Sequence, residues 1–144
     1  MARRLAVLGS TGSIGRQALE VASSHPDRIT VVALAAGGAL EPLCEQARAF
    51  RPAAIALERA ADPAAARALL GASSPGARVE VGAGAAARLV AHTDCDTVLN
   101  GLLEVAPSHR PLSRILLLVR HRIAGDRSRW LLSFVPRTRD VRRD

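Results

Sequence analysis

Apolar residues over the first hundred positions arrive in two alternating rhythms. Leu5–Leu8, Ile29–Ala35 and the weaker Ala53–Leu57 are short apolar runs, as strands buried on both faces of a parallel sheet would be. Between them the spacing turns helical. From Ile14 to about Ser24 the apolar face holds Ile14, Ala18, Leu19, Val21 and Ala22, and His25-Pro26-Asp27 stops the helix. Gly37-Gly38 ends the second strand. Pro42 stands where a first helical turn tolerates proline, and Leu43–Phe50 continues that helix. Asp62-Pro63 reads as an N-cap followed by proline at N1, opening an alanine-rich helix to Leu70. Gly71–Gly76 reads as a loop, Val79–Val81 as a short strand, Ala83–Ala91 as a helix and Thr97–Leu99 as the last strand. Five strands alternating with four helices predict an α/β fold, a doubly wound parallel sheet with right-handed crossovers.

Composition divides the chain where this order stops. All 20 basic residues are arginine. Residues 1–100 carry 26 Ala and 10 Arg against 9 Asp and Glu, a net of +1. Residues 101–144 carry 2 Ala and 10 Arg against 4 Asp and Glu, a net of +6. The basic character is therefore a property of the tail, where Pro107, Pro111 and Pro136 interrupt and arginines follow no period. Leu112–Ile123 could form an amphipathic helix, although Arg114, Arg120 and Arg122 do not gather on one face. The expected division is a cofactor domain over 1–101 and an irregular Arg-rich tail over 102–144.

Two cysteines, Cys44 and Cys95, are too few for a disulfide framework and lack zinc-site spacing, so both read as small buried hydrophobes. The apolar run after Arg3-Arg4 is too short for a signal peptide, and Ile115–Val119 is far below a membrane span. A cytoplasmic protein with no membrane contact is expected.

The segment that carries chemistry is Gly9-Ser10-Thr11-Gly12-Ser13-Ile14-Gly15, directly after the first strand and opening the first helix. That is the setting of a dinucleotide-binding loop, here spaced GxxGxxG. Gly9 would allow the tight turn, Gly12 a close approach to a pyrophosphate, and Gly15 close helix–strand packing. The helix N-terminus would offer N–H groups to phosphates, with the Ser10, Thr11 and Ser13 hydroxyls as further donors. An NAD reader places an acid at the end of the second strand, but Ala36-Gly37-Gly38-Ala39 has none before Glu41, which favours NADP. No Arg or Lys stands there either; Arg16 is the nearest candidate for a phosphate, and an exposed helix arginine is its blander reading.

Leu5–Val21, His25-Pro26-Asp27-Arg28 and Val31–Gly37 together resemble the N-terminus of 1-deoxy-D-xylulose 5-phosphate reductoisomerases. The resemblance continues through Leu43-Cys44-Glu45-Gln46, Phe50-Arg51-Pro52 and Asp96–Gly101, and so covers about residues 3–101. It implies a Rossmann-like NADP-binding domain from an oxidoreductase of the non-mevalonate isoprenoid route. That family converts 1-deoxy-D-xylulose 5-phosphate to 2-C-methyl-D-erythritol 4-phosphate with NADPH and Mg²⁺ or Mn²⁺, as a fosmidomycin-sensitive cytoplasmic homodimer. By the same resemblance Thr11, Gly12, Ser13 and Ile14 touch the cofactor phosphates, and Gly37 with the two residues after it lies near the adenosine 2′-phosphate. Many members have a basic residue and Asn at positions where this chain has Gly38 and Ala39.

After Gly101 the pattern departs. The family's Asn-Lys-Glu-Ser motif is missing, since the chain has no lysine and no asparagine beyond Asn100. No motif carries metal roles onto Asp126, Asp140 or Asp144. The tail is expected to come from a frameshift or an error in the gene model, leaving a truncated NADPH-binding part without catalytic or metal-binding residues and without turnover. Two alternatives stand beside it: a stand-alone NADP-binding module without catalysis, and a basic nucleic-acid-binding protein acting through residues 102–144. Against the second, the tail's aromatics are Trp130 and Phe134 alone, with no RNA-binding motif.

Overall fold

The computed structural model describes residues 2–101 in full and, beyond them, the backbone of two short strands. The elements follow the predicted alternation: β1 Arg3–Leu8, α1 Ser13–Ser24, β2 Ile29–Ala36, α2 Leu40–Phe50, β3 Ala54–Leu57, α3 Pro63–Ser73, β4 Arg78–Val81, α4 Ala85–His92 and β5 Thr97–Asn100. β1 to β5 form one parallel sheet in the order β4-β3-β2-β1-β5. The strand order reverses between β1 and β5, where Leu8 faces Asn100 at the carboxyl edge. In open α/β sheets that crevice is where ligands bind.

Strand alternation separates two apolar layers. Val7, Val31, Leu34, Ile55 and Leu57 meet α1, α2 and α3 through Leu19, Leu43 and Leu70. Ala6, Ala33, Ala35, Ala54 and Ala56 point the other way, onto Ala85, Ala86 and Leu89 of α4. Alanine on that face lets α4 sit close to the strands, and nearly all of these side chains are fully buried. Cys44 and Cys95 are buried in the two layers, as expected.

Element ends differ from the sequence reading where local signals compete with packing. α3 runs through Gly71 to Ser73 rather than stopping at Leu70. Glycine in a helix costs only about 1 kcal/mol, and burial of Leu70 and Ser73 offsets it. The chain turns afterwards, at Gly76, whose φ is +84°. α2 begins at Leu40, placing Pro42 inside its first turn.

The tail also departs from expectation in part. Leu112–Ile123, weighed as an amphipathic helix, contains strand β6, Leu118–Arg122, which pairs antiparallel with β5; β7, Trp130–Phe134, pairs with β6. β6 takes up the outer edge of β5, whose backbone N–H and C=O groups would otherwise face solvent. The rest of 102–144 lies outside the described residues.

At the opposite, amino edge of the sheet Arg4 binds Asp94 and Asp96. Its Nη2 is 2.9 Å from one Asp96 oxygen and its main-chain N–H donates to the other at 2.9 Å. This clamp joins β1 to the segment entering β5, far from the carboxyl edge.

Candidate cofactor site

Sequence dictates the loop's shape first. β1 stops because Gly9 takes a φ of +76°, a left-handed conformation that favours glycine. The turned N–H groups of Gly9 and Ser10 both donate to the Ala35 carbonyl, at 2.7 and 2.9 Å, which fixes the loop to the end of β2. Gly15 then brings α1 against the loop. A Cβ there would lie 2.2 Å from the Gly9 carbonyl oxygen and 2.6 Å from Ser10 Cα, so only glycine fits. Gly12 is different: its Cβ would meet nothing nearer than 3.5 Å, and the residue is exposed. Its lack of a side chain leaves the outer face of the loop open.

The N-terminus of α1 has no side-chain cap and no acid in its first turn. The N–H of Gly12 donates to Gly9 and that of Arg16 to Gly12. Those of Thr11, Ser13, Ile14 and Gly15 meet no acceptor among the described residues. Several unpaired donors at the positive end of a helix suit an anion. Thr11 and Ser13 keep exposed surface beside them.

Ser10 is placed otherwise. It is 0% exposed, and its carbonyl accepts a 2.8 Å hydrogen bond from Gln46 Nε2 of α2. Its hydroxyl and Gln46 Oε1 are buried without a hydrogen-bond partner among the described residues. Ser10 therefore anchors the underside of the loop rather than its ligand face. Arg16 is exposed on α1 and lines a shallow groove with Gln46 and Phe50.

At that strand end Gly37 and Gly38 present bare backbone, and Arg59 lies against them. Its Nη2 is 3.1 Å from where a Gly37 Cβ would stand and 3.7 Å from that of Gly38. No local pattern marks this cation, because only the parallel pairing of β2 with β3 brings residue 59 beside residue 37. Gly101 closes the crevice on the other side, donating to Leu8 at 2.7 Å. Among the described residues no group of three His, Cys, Asp or Glu side chains could hold a metal ion, and no helix is long and apolar enough to cross a membrane.

The chain matches the family model of 1-deoxy-D-xylulose 5-phosphate reductoisomerase over residues 5–108. It is 46% identical over 105 residues to the 1-deoxy-D-xylulose 5-phosphate reductoisomerase of Symbiobacterium thermophilum, covering 72% of this chain and 27% of that one. It is 47% identical over 100 residues to the enzyme of the same name from Rhodococcus jostii, covering 69% and 23%. Among solved structures it is similar to the Zymomonas mobilis reductoisomerase in complex with NADPH, with a TM-score of 0.63 at 24% identity, over 72% of this chain and 27% of that one. It is also similar to a reductoisomerase in complex with NADPH, fosmidomycin and magnesium, with a TM-score of 0.59 at 27% identity, over 67% and 23%. The chain thus spans about a quarter of the length of the relatives it matches.

Proposed function

Because the chain belongs to the 1-deoxy-D-xylulose 5-phosphate reductoisomerase family, we propose that residues 1–101 form its NADPH-binding domain. The observation that carries this reading is the uncapped start of α1, where the N–H groups of Thr11, Ser13, Ile14 and Gly15 have no acceptor among the described residues around the exposed Gly12. These groups would hold the pyrophosphate, and the Thr11 and Ser13 hydroxyls would add donors. Gly9 and Gly15 shape the loop, Ser10 fixes it from below, and Gly37 and Gly38 keep the end of β2 clear for the adenosine ribose. The chemistry NADPH supplies when bound is a hydride; the protein's part is to grip and orient its carrier.

The family's substrate, 1-deoxy-D-xylulose 5-phosphate, its homodimeric assembly and its cytoplasmic location extend this reading to the setting in which the domain acts. A divalent metal does not fit the described residues. Glu58 and Asp62 accept from helix N–H groups, and Glu80, Asp94 and Asp96 are paired with arginines. No catalytic step is assigned to these residues. The 144-residue polypeptide by itself is therefore expected to bind cofactor without turning over substrate.

Isothermal titration of the chain with NADPH tests the binding, with saturable one-site heat expected. A folded chain giving none overturns the proposal. A coupled test adds 1-deoxy-D-xylulose 5-phosphate and Mg²⁺ and follows loss of reduced-nicotinamide absorbance. Sustained consumption would refute the expected lack of turnover. Residues 102–144 we place outside the cofactor domain, and the part beyond the family match at residue 108 we infer to be out-of-frame product. Translation of the gene past codon 101 in the other frames should then yield an Asn-Lys-Glu-Ser segment, and its absence removes the frameshift account.

A further inference from the structure

The end of β2 has no side chain of its own to meet a 2′-phosphate, since Gly37 and Gly38 stand where a reading residue would. The neighbouring strand supplies one. After β3 ends at Leu57 the chain stays tied to β2 for two more residues. Glu58 N–H donates to the Ala36 carbonyl at 3.0 Å and Arg59 N–H to that of Gly37 at 2.8 Å. This tether lays the Arg59 guanidinium against the two glycines, 3.1 Å from where a Gly37 Cβ would stand and in ordinary contact distance of that of Gly38.

Among the described residues no ion pair holds that guanidinium. Glu58 accepts from the N–H groups of Gly84 and Ala86, at 2.9 and 2.8 Å, and Asp62 from that of Ala65 at 3.0 Å. Both acids flanking Arg59 are turned to helix starts. The Arg59 side chain makes no hydrogen bond or ion pair with any described residue. It is exposed, and with Gly38 and Asp62 it lines an open cleft of about 730 Å³ at the carboxyl ends of β2 and β3. A planar guanidinium at the ribose end of a dinucleotide crevice, exposed and without a partner among the described residues, suits a phosphate bidentately.

We propose that Arg59 reads the 2′-phosphate of the cofactor and so sets the preference of this chain for NADPH over NADH. The proposal rests on the NADPH reading above and adds to it the residue that discriminates. Arg59 is a specificity residue, reaching in from β3 to do what a basic residue at the end of β2 would do. NADH, lacking that phosphate, would bind through the glycine loop alone.

Titration calorimetry of the full 144-residue chain with NADPH and NADH separately provides the test. Wild type should bind NADPH at least about tenfold more tightly than NADH, and raising the salt should narrow that ratio. Arg59→Ala should weaken NADPH by about tenfold to a hundredfold, with NADH changed by no more than about threefold. Arg59→Lys should restore part of the ratio, because it keeps the charge but not the fork. Thermal melts should show both variants folded, since the side chain is exposed and unpaired. An unchanged NADPH-to-NADH ratio in Arg59→Ala overturns the role of Arg59 and leaves the NADPH reading standing. Failure of wild type to bind either cofactor removes that reading, and this proposal with it.

Discussion

A methyl group added to Gly15 and one added to Gly12 have opposite consequences, although both residues stand in one loop. At Gly15 the new atom would lie 2.2 Å from the Gly9 carbonyl oxygen, and the obstructing atoms are backbone. Gly15→Ala should therefore cost roughly 3 kcal/mol of stability, the upper end for overpacking a rigid site, measurable by urea denaturation. At Gly12 the φ is −77° and the nearest atom stands 3.5 Å away, so alanine is accommodated. Gly12→Ala should fold within about 0.5 kcal/mol of wild type, yet weaken NADPH at least about tenfold by occupying the face a phosphate approaches. A Gly12→Ala chain with wild-type affinity in calorimetry would place the phosphates elsewhere. The spacing GxxGxxG makes these roles legible in the sequence, because glycine requirements are local. Ser10 is not legible in that way. Its residue type suggests a donor on the ligand face, but Gln46 of α2 and the packing of Gly15 decide its burial. Arg59 is hidden for a related reason, since its neighbourhood to Gly37 exists only after β2 and β3 have paired.

Helix starts show how the elements were built from unlike signals. α3 caps itself through Asp62, which the sequence pattern Asp-Pro announces. α4 begins at Gly84 without a side-chain cap of its own; the donors of Gly84 and Ala86 are met by Glu58, from the end of β3. No local pattern reveals such a cap. Glu58→Ala should lower stability by about 1–2 kcal/mol, through loss of two charge-assisted hydrogen bonds at the positive end of a helix. Glu58→Gln should lose less, as it keeps an acceptor. Equal denaturation midpoints for wild type and Glu58→Ala would show that water replaces the carboxylate without loss. β4 and α4 are joined by a second carboxylate. Glu80 accepts from Arg78 at 2.7 Å and from Arg88 at 3.1 Å, and these hydrogen bonds, Arg78 first, hold its carboxyl below the usual carboxylate range. With the folded value below the unfolded one, the stabilisation is complete above the unfolded pKa and disappears as pH falls through the folded one. Thermal melts should then show Glu80→Gln less stable than wild type at neutral pH. The gap should close below about pH 4 and narrow in high salt. A gap independent of pH would assign the effect to packing instead.

At the scale of the molecule, alternation alone conveys a parallel sheet with helices on both faces, because each strand–helix unit declares itself within about thirty residues. The edge of that sheet is a different matter. β6 and β7 join through the outer side of β5, and a strand that forms on a non-local edge leaves no helical or loop signal to read beforehand. The charge gives no warning either: of the tail's ten arginines only Arg120 and Arg122 stand in these strands. The glycine loop, Gly37, Gly38 and Arg59 all lie within 2–101, as do the residues of both apolar layers. A chain ending at Gly101 should therefore keep its cofactor affinity while exposing the β5 edge. Its NADPH dissociation constant should stay within about threefold of that of the 144-residue chain, and saturating NADPH should raise the melting temperature of both. The exposed edge should appear instead as concentration-dependent association in sedimentation, stronger in the shorter chain. If the shorter chain is folded by circular dichroism yet binds NADPH far more weakly, residues 102–144 take part in the site. The boundary at 101 would then be wrong, and the strands added to β5 would be part of the cofactor domain rather than a cover for its edge.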